Sequence, residues 1–129
     1  MNKLYSVLLV DDDKFLLGMY QKKFEKYGVK AEMCVGSEVA LNRLREGTKF
    51  DIIVLDIIMP GMDGIELLKK IREEKLAEGA SVIMLTNESV STRIEEAKAL
   101  GVAGYIVKAT SIPSEVVEEI IKIADSNKK

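Results

Sequence analysis

Five side chains able to do chemistry stand directly after short apolar runs: Asp11 and Asp12 after residues 4–10, Asp56 after 52–55, Thr86 after 81–85 and Lys108 after 104–107. Carboxylates without histidine suit a hard, oxygen-loving cation such as Mg²⁺. A lysine and a threonine hydroxyl suit the oxygens of a phosphoryl group. A carboxylate held between cation and phosphoryl group can act as a nucleophile and form an aspartyl phosphate. The metal and fixed dipoles would meet the charge of the approaching anion. Each residue also has a plainer reading. A lone Asp at a strand end is often a turn or capping residue, and one of Asp11, Asp12 and Asp13 can cap a helix.

The chain contains no histidine. Ser-His-Asp catalysis, Cys-His catalysis and His-ligated zinc are therefore excluded. The single cysteine, Cys34, can form no internal disulfide and reads as a small buried hydrophobe. Net charge is −2, with a pI of about 5.3, which points away from a nucleic-acid surface built on net charge. No apolar run approaches the ~20 residues of a membrane span, and the N-terminus turns acidic at Asp11, unlike a signal peptide. A cytoplasmic protein, with no membrane and no direct nucleic-acid partner, is expected.

The elements that must position these residues alternate. Strands are expected over 4–10, 29–35, 52–55, 81–85 and 104–107. A first helix over 15–27 carries Phe15, Leu16, Met19, Tyr20 and Phe24 at helical spacing and stops at Gly28. Ser37 reads as the N-cap of a second helix carrying Val39, Ala40, Leu41 and Leu44. Asp63 and Glu66 read as a capping box for a third, with Ile65, Leu67, Leu68, Ile71 and Leu76. A polar fourth helix starts at Ser89 or Ser91 and stops at Gly101. Pro113 opens the fifth, whose extra apolar positions, Val117 and Ile121, fit either broad core burial or a partner surface. Five βα units with apolar strands predict an α/β doubly wound sandwich, a parallel sheet with helices on both faces. In such sheets ligands bind at the C-terminal strand ends, where all five residues lie.

Val7-Leu8-Leu9-Val10-Asp11-Asp12-Asp13, the stretch from Leu55-Asp56 to Met62-Asp63-Gly64, Val82-Ile83-Met84-Leu85-Thr86 and Gly104-Tyr105-Ile106-Val107-Lys108 together resemble a bacterial two-component response-regulator receiver domain, of the stand-alone chemotaxis-regulator type. The resemblance covers nearly the whole chain. It implies one receiver domain over 1–129 without an output domain, in a flavodoxin-like (βα)5 fold of strand order 2-1-3-4-5. It implies Asp56 as phosphoacceptor, Asp12 and Asp56 as direct Mg²⁺ ligands, Asp11 acting through water, and the backbone carbonyl of Ile58 as a further ligand. Thr86 and Lys108 would bond the phosphoryl oxygens, helped by the backbone N–H groups of Ile57 and Asn87. Tyr105 would be the aromatic switch partner of Thr86, and Asp13 the cap of the first helix. The donor would be a histidine kinase or His-phosphotransfer protein. The output would be a protein partner or homodimer through the fourth helix, fifth strand and fifth helix. The domain would not be an enzyme beyond its own phosphorylation and dephosphorylation.

Three positions depart from the family pattern. Ala109 follows Lys108 where proline is usual, Asn87 follows Thr86 where a small residue is common, and Ile58 stands two residues after Asp56. A cis bond before a non-proline residue costs about 2.5–4 kcal/mol, so a trans bond and a shifted Lys108 are the expectation. Asn87 would either crowd the phosphoryl group or lend it a hydrogen bond. Ile58 offers attacking water no hydrogen bond, which predicts slow self-dephosphorylation. Two other classes compete: a pseudo-receiver that binds partners without taking phosphate, and an Asp-nucleophile phosphatase of the haloacid-dehalogenase type. The latter normally carries a second Asp where Ile58 stands.

Overall fold

In the computed structural model the described residues are 5–87, 90–110 and 112–127. They form β1 (Ser6–Asp11), α1 (Lys14–Lys26), β2 (Lys30–Val35), α2 (Ser37–Arg45), β3 (Ile52–Leu55), α3 (Gly64–Glu73), β4 (Ser81–Thr86), α4 (Ser91–Ala99), β5 (Gly104–Val107) and α5 (Pro113–Asn127). A 3-10 turn, Lys108–Thr110, joins β5 towards α5. The five strands are parallel in the order β2-β1-β3-β4-β5, as expected.

Strand side chains alternate between faces, and here both faces are covered. Leu8, Val10, Ile53, Leu55, Val82 and Met84 pack with α2, α3 and α4. Val7, Leu9, Ile52, Val54, Ile83 and Leu85 pack with α1 and α5. Double burial explains why the central strands read as unbroken apolar runs rather than alternating ones. Each such side chain contributes about 1.5–3 kcal/mol by leaving water, so slipping the register would expose a whole set at once. The register thereby fixes where each polar residue leaves the sheet.

The helices show where sequence patterning succeeded and where it did not. Asp63 and Glu66 form the expected capping box, with both reciprocal bonds at 2.9 Å. Gly28 ends α1 at φ 74. The buried face of α1 keeps the expected Tyr20 and Phe24 and adds Leu17, with Leu16 partly buried beside them, while Phe15 is 80% exposed and Met19 stands at the surface. Ser37 is not the N-cap of α2. Gly36, at φ 96, takes that place, and the Ser37 hydroxyl donates instead to the Met62 carbonyl at 2.7 Å. Val39 is exposed, and Leu76 lies beyond the end of α3, partly buried. Leu4 and Ser89 lie outside the described residues. In α5, Val116, Val117, Ile120 and Ala124 are buried, and Ile121 and Ile123 pack partly buried beside them. Broad core burial therefore accounts for its extra apolar positions. Cys34 is buried, and loss of water pushes its thiol up to about 11.

Candidate functional site

The sheet reverses its winding between β1 and β3, because β2 lies outside β1 on one side and β4 outside β3 on the other. Val10 pairs with Leu55, and the Asp56 N–H donates to the Val10 carbonyl at 3.1 Å. Asp11 and Asp56 therefore leave neighbouring strands at one height, where α/β sheets open a crevice. Both are buried, whereas Asp12 is exposed. One carboxylate oxygen from each of Asp11, Asp12 and Asp56 lies within 4.8 Å of the other two. Three carboxylates so close repel one another unless positive charge intervenes.

Lys108 provides part of that charge. Its Nζ donates to Asp11 Oδ2 at 2.6 Å and to Asp56 Oδ2 at 3.0 Å. Burial of the lysine works to lower its pKa. The bonds from Asp11 and Asp56 outweigh burial and hold the ammonium above its ordinary value. Three carboxylates facing one ammonium still leave the cluster net negative. An all-oxygen donor set of this kind fits Mg²⁺.

Of the other predicted residues, Ile57, Ile58 and Thr86 adjoin Asp56 in sequence or through short contacts. Thr86 is fully buried at the end of β4, and its Oγ1 accepts a long 3.4 Å bond from the Ile57 N–H. The Ile58 N–H donates to Asp56 Oδ1 at 3.3 Å, while the Ile58 side chain is 57% exposed beside it. Tyr105 lies half-buried on β5, against the core shared with α2, α3 and α4. Asp13 caps α1, accepting from the Leu16 N–H at 3.1 Å, and its own N–H donates to Asp11 Oδ1.

The two strand-end departures take a definite form. The peptide bond before Ala109 is trans, and Lys108 nevertheless reaches Asp56. The Asn87 carboxamide is turned to the neighbouring loop, with Oδ1 accepting from the Ala109 N–H at 2.8 Å.

Sequence reasoning placed Lys108 opposite the carboxylates but missed its bond to Asp11. It also missed Arg93, which donates to Asp63 Oδ2 at 2.6 Å and to Glu96 Oε1 at 3.0 Å. The Glu96 partner is legible as an i, i+3 pair on a helix. The Asp63 partner is not, because it depends on how α4 approaches the start of α3. Desolvation pushes the Asp63 carboxyl up, but the Glu66 N–H and Arg93 outweigh it and hold it below its ordinary range.

Comparison with known proteins follows the same lines. Residues 7–121 match the response regulator receiver domain family. The chain is 37% identical over 109 residues to chemotaxis protein CheY-3 of Vibrio cholerae, covering 84% of this chain and 83% of that protein. It is 34% identical over 120 residues to chemotaxis protein CheY of Pseudomonas aeruginosa, covering 90% and 95%. Among solved structures, a CheY-like receiver domain protein from Methanospirillum hungatei superposes with a TM-score of 0.85 at 27% identity, covering 96% of each chain. No helix among the described residues is long and apolar enough to cross a membrane.

Proposed function

The chain belongs to the response regulator receiver domain family, and from that premise we propose that Asp56 is the phosphoacceptor of a two-component relay. The observation that carries the reading is the Lys108 ammonium, which bridges Asp56 and Asp11 at the C-terminal rim of the sheet. A nucleophilic carboxylate and a cation able to receive phosphoryl oxygens are thus already in contact.

In the proposed step an Asp56 carboxylate oxygen attacks phosphorus on a partner's phosphohistidine. The O–P bond forms as the P–N bond breaks, and the imidazole leaves with the electron pair of that bond. Lys108 follows the charge from the carboxylate to the phosphoryl oxygens, its long side chain remaining tethered to Asp11. The Thr86 hydroxyl and the N–H groups of Ile57 and Asn87 are the further donors assigned to those oxygens. Asp11, Asp12, Asp56 and the Ile58 carbonyl are the groups that would hold Mg²⁺, with Asp11 acting through water. When bound, the ion supplies the positive charge that lets an anionic carboxylate meet an anionic phosphoryl group.

The new charge on Asp56 then competes for Thr86, which in this structure accepts from Ile57. Movement of Thr86 opens room next to β4 for Tyr105. The resulting change is read by a protein partner or second copy at α4, β5 and α5. The whole chain acts as one receiver domain, and the donor is a histidine kinase or His-phosphotransfer protein, because this chain has no histidine of its own. Incubation with acetyl phosphate and Mg²⁺ followed by peptide mapping tests the assignment. Phosphoryl mass is expected on the peptide bearing Asp56, and finding it only elsewhere would sink the reading.

A further inference from the structure

We propose that Asn87 and Ala109 act together as a positioning pair that sets Lys108 over Asp56. The inference rests on the phosphoacceptor reading of Asp56. The β4–β5 ladder ends at the Thr86–Val107 register pair. The next residues on the two strands are Asn87 and Lys108, and their loops are tied just beyond the ladder by the bond from the Ala109 N–H to Asn87 Oδ1 at 2.8 Å. Each member of the tie is covalently adjacent to a residue assigned to the phosphoryl oxygens: Asn87 follows Thr86, and Ala109 follows Lys108.

Lys108 has to span from this turn to two carboxylates, reaching Asp11 at 2.6 Å and Asp56 at 3.0 Å. Its backbone lies in the single 3-10 turn Lys108–Thr110. So short a turn has little hydrogen bonding of its own. The Asn87 carboxamide fastens that turn to the end of β4. The bond requires two things at once: an acceptor of carboxamide length at 87, and an N–H at 109, which proline lacks. The two positions are therefore one feature rather than two independent departures. The same bond orients the Asn87 side chain, because Oδ1 must face the donating N–H. The carboxamide oxygen is thereby kept away from the incoming phosphoryl oxygens, which it would repel.

Phosphorylation by acetyl phosphate in Mg²⁺, followed by intact mass, tests the pair in a double-mutant cycle of Asn87→Leu and Ala109→Pro. Leucine keeps the bulk of Asn87 without its acceptor. Each single variant is expected to lower the maximal phosphorylation rate constant about three- to tenfold, the worth of one hydrogen bond. Mg²⁺ affinity and thermal midpoint should stay close to wild type. The double variant should be no slower than the slower single one. Multiplying losses, or wild-type rates in Asn87→Leu, would overturn the pairing. Proline at 109 also restricts Lys108 directly, so amide exchange at Ala109 in Asn87→Leu gives a second readout: protection should fall, and unchanged protection would contradict the bond. A wild-type protein that takes no phosphoryl group would instead overturn the assignment of Asp56, and this inference with it.

Discussion

A Cβ on Gly64 would lie 2.0 Å from the carbonyl oxygen of Asp56. The first residue of α3 thus presses directly on the backbone of the proposed phosphoacceptor, and its N–H donates to the Ile57 carbonyl at 2.8 Å. The contact is with backbone, so no side chain can rotate away to relieve it. Gly64→Ala should push apart the end of β3 and the start of α3. Urea denaturation is expected to show a loss of roughly 1–3 kcal/mol, the usual cost of overpacking. Phosphoryl uptake should fall as well. Wild-type stability in Gly64→Ala would show that the loop yields more easily than this contact implies.

Charge in the acid cluster yields a second prediction. Lys108 bonds Asp11 and Asp56, while Asp12 lies exposed within reach of both carboxylates. Without metal, Asp12 adds repulsion, and no hydrogen bond or ion pair among the described residues offsets it. Asp12→Asn should therefore raise the melting temperature in chelator. In Mg²⁺ the order should reverse, because bound ligand stabilises the wild type by about 2.7 kcal/mol at a hundredfold excess over Kd. Equal Mg²⁺-induced shifts in the two proteins would remove Asp12 from the ion site.

The Asp63–Arg93 pair carries the pH dependence. Its 2.6 Å bond ties the start of α4 to the cap of α3, with both side chains 28% exposed. A carboxyl held below its ordinary value in the folded protein stabilises it above the unfolded-state pKa. That contribution is lost as pH falls through the lower, folded value. Arg93→Leu should cost a few tenths to about 1 kcal/mol at neutral pH. The gap from wild type should close under acid conditions as Asp63 protonates. A gap that persists after Asp63 has been neutralised would mean that Arg93 acts through packing.

If Asp56 is the phosphoacceptor as proposed, Ile58 should lengthen the life of the phosphoryl group. It is 57% exposed next to Asp56 and has no side-chain donor or acceptor for attacking water. Ile58→Asn should shorten the phosphoryl lifetime by about fivefold, the worth of roughly one hydrogen bond to that water. An unchanged lifetime after removal of the donor would contradict the role.

Much of the fold was legible because register and burial leave plain marks. The run 52–55 is apolar throughout, since β3 is covered on both faces. Asp56, Thr86 and Lys108 could be placed because each ends or follows its strand, and strand ends share one rim. Tyr20 and Phe24 were placed correctly on α1, but its first turn was misread because Phe15, Leu16 and Leu17 are all apolar. Phe15 with Met19 and Leu17 with Tyr20 were both available as the start of a stripe, and the packing against α5 chose Leu17. Gly36 and Ser37 are both good cap residues, and only a positive φ separates them. The Lys108–Asp11, Arg93–Asp63 and Asn87–Ala109 bonds were not legible. Each joins separate loops or helices whose distance no local pattern encodes.

The central claim is that Asp56, with Lys108 beside it, receives a phosphoryl group. The direct measurement is intact mass spectrometry after acetyl phosphate and Mg²⁺, on wild type, Asp56→Asn and Lys108→Ala. One added phosphoryl group is expected on wild type and none on Asp56→Asn. None is expected without Mg²⁺, and a much slower gain is expected on Lys108→Ala. An unmodified wild type, or phosphoryl mass that survives Asp56→Asn, would contradict that claim.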